Sequence, residues 1–198
     1  MGKELPVIPS PQQSKTEEQE ELVYSRVFCT REDSPPLRLL LDFLKSKNQI
    51  PLIPKMEQEA LEDWDWVHIS LGYNRERHPI RLFCIRNRGT YKDVFETEQT
   101  GFTNRLSAFD NVEAQIATEF ISKAQFIATT QMVKKDISDE GYDFNGWILE
   151  FFQENCNGIV QIDGQGFYSP KGELVVDMEE ANESGMDVGP TPKTEEPS

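Results

Sequence analysis

The chain has 198 residues, 37% of them hydrophobic and 28% charged, and a formal net charge of −15. That length and apolar content allow one ordinary domain or two small ones with a packed core. The acidity argues against general attraction to DNA, RNA or anionic membranes, and no apolar stretch approaches the ~20 residues of a membrane span.

The charge is unevenly spread. Residues 1–21 contain Pro6, Pro9 and Pro11 with five acids against two bases, and residues 177–198 contain seven acids, one lysine and three prolines. Segments of this composition cannot bury enough apolar surface to offset their ordering entropy, so tails 1–21 and 179–198 are expected to be disordered around a core at 22–178. The first 30 residues have neither the basic start nor the apolar run of a signal peptide, and Pro6 stands where a myristoylation signal wants Ser or Thr. Cys29, Cys84 and Cys156 form no CxxC pair and are odd in number. Free thiols in a reducing cytosol fit that usage, so a cytoplasmic location is expected.

Within the core the order strand, helix, strand, strand is read twice, over 22–88 and 125–178, which predicts an internal duplication. The opening strands are LVYSRVFCT from Leu22 and QFIATTQMV from Gln125, both rich in β-branched and aromatic residues. In the first block Ser34 is the expected N-cap of a helix with Pro35 and Pro36 in its first turn, and Leu37, Leu40, Leu41 and Leu44 fall at helical spacing. In the second block Ser138 and Asp139 start a helix carrying Phe144, Trp147, Ile148, Phe151 and Phe152, and Asn157-Gly158 is a stop signal. The fragments LLLDFLKSKN and WILEFFQENC align in apolar pattern, the strongest sign of duplication.

Each block then closes with a hairpin, from VHISLGY and IRLFCIR in the first and from VQIDGQGFY and ELVVDM in the second. An acidic insertion at 51–64 belongs to the first block alone. Between the blocks a linker helix is predicted at 107–124, capped by Asp110, with Val112, Ile116, Phe120 and Ile121 as its apolar residues. The fold expected is α+β: two strand-helix-strand-strand repeats joined by a helix, a mainly antiparallel sheet, and helices packed on one face.

Strand alternation sorts inward from outward residues. Val23, Val27, Cys29, Val67, Ile69, Leu71, Ile80, Leu82 and Cys84 form an apolar set suited to the helices. The opposite set contains Tyr24, Arg26, Phe28, Trp66, His68, Arg81 and Phe83, and the basic hairpin adds Arg75, Arg77 and Arg86. An uncovered apolar sheet face usually marks an interaction site. Either the linking helix, the 51–64 insertion or the other block covers this face, or Tyr24, Phe28, Trp66, Arg75, Arg77, Arg81, Phe83 and Arg86 are the expected partner-binding surface, to be met by another protein or by a second copy of the chain. Base stacking on the aromatics is disfavoured by the charge of the core, and nucleic acid is not an expected partner. A third role is open to the acidic tail, as a nucleic-acid mimic or a cover for the basic hairpin.

Chemistry is sparsely signalled. His68 and His78 are the only histidines, and no spacing of His, Cys or carboxylates matches a metal site, so neither metal nor cofactor is expected. The paired modules are similar in outline to the metal-dependent glyoxalase and extradiol dioxygenase superfamily, whose modules carry one more strand after the helix. The metal-binding His and Glu pattern of that superfamily is absent here. Asp163-Gly164-Gln165-Gly166 lacks calcium-loop, GxGxxG and Walker patterns and reads as a bulge or tight bend. A non-catalytic protein-binding module, acting as adaptor, chaperone or inhibitor, is the first expectation. A small-molecule or nucleotide-processing enzyme with a pocket between the repeats, using His68, Asp163 and Tyr168, is the second.

Overall fold

Two opening strands, more than a hundred residues apart in sequence, meet at the centre of a single sheet. The computed structural model describes residues 21–169 and 171–178, and the disorder expected for the two tails falls outside the described residues except at Glu21. The carbonyl of Glu21 accepts a hydrogen bond from the Lys134 N–H, so Glu21 belongs to the ordered core.

The strands are β1 (Leu22–Cys29), β2 (His68–Leu71), β3 (Ile80–Arg86), β4 (Phe126–Val133), β5 (Gly158–Ile162), β6 (Gly166–Tyr168) and β7 (Leu174–Asp177). The helices are α1 (Leu37–Ser46), the one-turn α2 (Gln58–Leu61), α3 (Lys92–Leu106), α4 (Val112–Lys123) and α5 (Asp139–Cys156). The strands form one seven-stranded sheet in the order β2-β3-β4-β1-β5-β6-β7, antiparallel throughout. The α+β class and antiparallel sheet agree with expectation.

The expected internal duplication is not confirmed by the strand order. In the first block the second hairpin strand, β3, lies against the centre, whereas in the second block it is the first hairpin strand, β5. Each hairpin also pairs with the opening strand of the other block, β3 with β4 and β5 with β1. The segment read as the single strand VQIDGQGFY is itself a hairpin, because positive φ at Gly164 and Gly166 folds it back into β5 and β6. A Cβ at Gly166 would lie 1.9 Å from the Val176 carbonyl oxygen, so only glycine fits there.

Helices cover both faces, not one. On the first face α1 and α5 pack Leu37, Leu40, Leu44, Phe144, Ile148 and Phe152 onto Val27, Cys29, Ile69, Leu82 and Cys84, the apolar set that alternation identifies. On the second, α3 and α4 bring Phe95, Phe102, Leu106, Ala117 and Ile121 onto Phe28, Ile127, Ile159 and Phe167. Neighbouring residues of β1 divide between the two cores, Val27 and Cys29 on one side and Phe28 on the other. Fully burying each such aromatic or aliphatic side chain contributes about 1.5–3 kcal/mol before entropy is charged against it.

Caps explain where the helices begin. Ser138 accepts from the Gly141 N–H and Asn157 ends α5 in the left-handed region, both as expected. Ser34 does not cap α1, which starts at Leu37 after Pro36; its hydroxyl bonds the Trp64 carbonyl instead. Asn111, not Asp110, caps α4, accepting from Ala114 N–H at 2.7 Å. α4 turns Ala114, Ala117 and Ile121 inward and leaves Val112 and Ile116 exposed, because the small alanines let the helix approach the sheet closely.

Candidate functional site

Helix α3 leaves one corner of the second sheet face uncovered. Register aligns His68, Phe83, Thr129, Arg26 and Gln161 in one row across the sheet and Ser70, Arg81, Gln131 and Tyr24 in the next. The row on the other side of the first, Ile85, Ile127, Phe28 and Ile159, is sealed beneath α3 and α4. The open corner therefore consists of His68 and Arg81, both exposed, with Ser70, Tyr24, Phe83 and Gln131 half-buried beside them.

Hydrogen bonds organise this floor. Arg81 donates to Gln131 Oε1 at 3.4 Å, and Gln131 Nε2 donates to the Tyr24 hydroxyl at 2.9 Å. The His68 and Phe83 rings lie 5.0 Å apart at an interplanar angle of 33°. Along α3, Val94, Glu98, Gly101 and Arg105 share one side at helical spacing, and Arg105 lies over the Phe102 ring at 4.9 Å.

Arg26 joins the wall to the floor. Its Nε donates to Glu98 on α3 at 2.6 Å, and its Nη1 donates to Asp163 at 2.7 Å and Gln161 at 2.9 Å. Its guanidinium also lies 5.4 Å from the Tyr24 ring centre and 5.1 Å from that of Phe102. With 11% of its side chain exposed, the charge is held by two carboxylates that keep about a third of their own exposure. The sequence marks Arg26 as outward-facing but offers no sign of Glu98 as its partner, because α3 has only a weak apolar stripe.

The expected surface divides. Tyr24, Arg81 and Phe83 lie together in the corner, and Arg75 and Arg77 are exposed on the hairpin beyond it. Phe28 does not belong to the surface: α3 covers it, with Phe102 at 5.4 Å and Phe167 at 6.4 Å. Trp66 is also buried, because it precedes β2 and escapes the strand's alternation, packing into the first core with Nε1 donating to the Pro35 carbonyl at 2.9 Å. Arg86 shares the side of β3 that carries Leu82 and Cys84 and is buried, with Nη2 donating to Ser34 Oγ and the Trp64 carbonyl.

The three residues of the expected pocket do not converge. His68 is on β2 and Tyr168 on β6, with four strands between them in the sheet and on the opposite face, where Tyr168 packs against the first core. Asp163 is held by Arg26, and the Tyr168 hydroxyl donates to Gln165. Among the described residues, no three His, Cys, Asp or Glu side chains gather as a metal site requires.

In the turn after β4, Asp136 gathers residues of the hairpin. It accepts from the His78 N–H at 2.6 Å, meets His78 Nδ1 at 2.9 Å and pairs with Arg77 at 3.3 Å. These contacts, led by the backbone N–H, hold its carboxyl below the ordinary value. Arg75 and Arg81 make no ion pair among the described residues.

The edge of the sheet completes the corner. Gly72 exchanges both backbone hydrogen bonds with Leu52, at 2.7 and 2.8 Å, on the side away from β3. In an antiparallel strand alternate residues direct both groups to the same side, so Ser70 and His68 also point their N–H and C=O groups outward. Continuing the Leu52–Gly72 register would place Pro54 opposite Ser70, where it has no N–H to donate. Among the described residues, no strand lies against His68 and Ser70.

No protein-family model matches this chain, and neither a curated protein nor a solved structure matches it.

Proposed function

We propose that the protein is a non-catalytic protein-binding module that takes an extended, acidic segment of another protein as an additional strand along β2. The observation that carries this reading is the outward-facing backbone of His68 and Ser70 beside an open aromatic and basic floor. Main-chain pairing at a free edge supplies affinity, and alternate side chains of the added strand meet the adjoining surface to supply specificity.

Charge favours an acidic occupant. Arg81 stands at this corner and Arg75 on the hairpin beyond it, neither with a carboxylate partner among the described residues, and charges beyond about 8–10 Å are largely screened at ordinary ionic strength. The local surface therefore outweighs the −15 of the whole chain in a short-range contact. Phe83 and Tyr24 supply apolar area that an adaptor or inhibitor surface requires. No comparable convergence supports an enzyme, since the groups that could act as acid or base at His68, Asp163 and Tyr168 are far apart.

The test uses the full chain with a photo-reactive benzoylphenylalanine at position 70 in its native cytosol, followed by peptide mapping of the cross-linked product. The expected product joins position 70 to an extended acidic segment of one protein, and it is lost in Arg81→Glu combined with Phe83→Ala. A complex that forms unchanged with that double variant, or one cross-linked only from other faces, would refute the reading.

A further inference from the structure

At the other end of β3 a cleft of about 310 Å³ opens between the 64–67 segment and the turn that leads into α3. Val67 and Cys84 provide its apolar lining, and Asp65, Arg86, Arg88 and the turn Gly89–Tyr91 its polar one. Burial, opposed by Arg86, raises the Cys84 thiol to about 11, so it adds no negative charge at neutral pH.

The two arginines are held differently. Arg86 has only 9% of its side chain exposed, fixed by Ser34 and Trp64 through Nη2, yet its Nε is buried with no hydrogen-bond partner among the described residues. The nearest carboxylate oxygen, Asp65 Oδ1, is 3.6 Å away, beyond hydrogen-bond range. Arg88 is half exposed and reaches Asp65 at 3.2 Å and Asp33 at 3.3 Å. Asp65 is itself 71% exposed, so its carboxylate can swing into water and leave both guanidiniums facing the cleft.

The turn Gly89–Tyr91 forms the opposite side of the cleft. The 3₁₀ turn Gly89–Tyr91 runs directly into the fifteen-residue α3, and no side chain caps either start. Gly89 has φ +70° and open space where a Cβ would stand, so backbone and cleft meet without a side chain between them. Arginine forks match the oxygens of a phosphate.

We infer that this cleft binds the phosphate group of a small organic phosphomonoester, with Asp65 as the resident carboxylate that the ligand displaces. The phosphate oxygens would take the unfilled position beside Arg86 Nε and the place of Asp65 at Arg88, with the Gly89–Tyr91 turn closing the third side. The volume exceeds that of a phosphate alone, and Tyr91, 45% exposed, offers a ring face to the organic part.

The probes are inorganic phosphate and phenyl phosphate, titrated against the full chain and followed by phosphorus NMR line broadening. Saturable binding is expected for phenyl phosphate, tighter than for inorganic phosphate. Arg88→Gln, at a half-exposed position that leaves the fold intact, weakens it about tenfold or more through loss of a charge-assisted bond. Asp65→Asn strengthens it several-fold by removing the competing carboxylate. Arg81→Glu leaves it unchanged, which separates this site from the β2 edge. Absence of saturation, equal binding of the two probes, or binding that neither Arg88→Gln nor Asp65→Asn alters would overturn the assignment.

Discussion

Replacing Arg26 with methionine tests the claim that one side chain fastens α3 to the sheet. Methionine keeps much of the apolar stem, so the loss isolates the guanidinium. That group makes charge-assisted hydrogen bonds to Glu98 and Asp163 and a third bond to Gln161. Each bond to a charged partner contributes about 1.5–3 kcal/mol when well formed. Two effects reduce the sum: the guanidinium is desolvated at 11% exposure, and the two carboxylates, about a third exposed, regain water when it is removed. A net destabilisation of about 2–3 kcal/mol is expected for Arg26→Met.

Urea unfolding measures this loss, and a cycle with Glu98→Gln isolates the pair. Glu98→Gln should cost about 1–1.5 kcal/mol in the native background and almost nothing after Arg26→Met, since its partner has gone. Hydrogen exchange should rise in α3 more than in α5, because only α3 loses its tie. Additive effects within about 0.5 kcal/mol, or equal exchange in both helices, would refute the role assigned to Arg26.

Two phenylalanines that sequence alternation places on the same sheet face should behave differently. Phe28→Ala opens a cavity beneath α3 and should cost about 3–5 kcal/mol, whereas Phe83→Ala, half exposed beside His68, should cost roughly 1 kcal/mol or less; equal shifts in urea midpoint would contradict the coverage described. Asp136 has a folded-state pKa below its unfolded value, so its contribution is present above about pH 4 and fades as pH falls through the lower folded value. Asp136→Asn should therefore lower the melting temperature at pH 7, with the difference narrowing below pH 4; a constant difference down to pH 3 would reject the mechanism.

Much of the local structure is legible in the sequence. The stop at Asn157-Gly158, the cap at Ser138 and the apolar alternation of Val27, Cys29, Ile69, Leu82 and Cys84 depend on neighbours within a few residues, and all appear as expected. The open corner is partly legible too, since Tyr24, Arg81 and Phe83 alternate outward on strands whose existence is plain. Arg86 and Trp66 are misread for opposite reasons. Arg86 lies on the buried side of its own strand despite its charge, and Trp66 lies before β2 and outside its alternation.

Short-range periodicity and capping encode most of the strands, the long α5 helix and the apolar side of the sheet that receives α1 and α5, but not the division between β5 and β6. Only the tertiary structure decided that β1 pairs with β4 at the centre and that each hairpin crosses to the other block's strand. It also decided that α3 seals Phe28 and binds Arg26 through Glu98. Register between strands a hundred residues apart, and the docking of a helix with a weak apolar stripe, arise from which surfaces fit together once the chain has collapsed, and no local pattern in the residues records that fit.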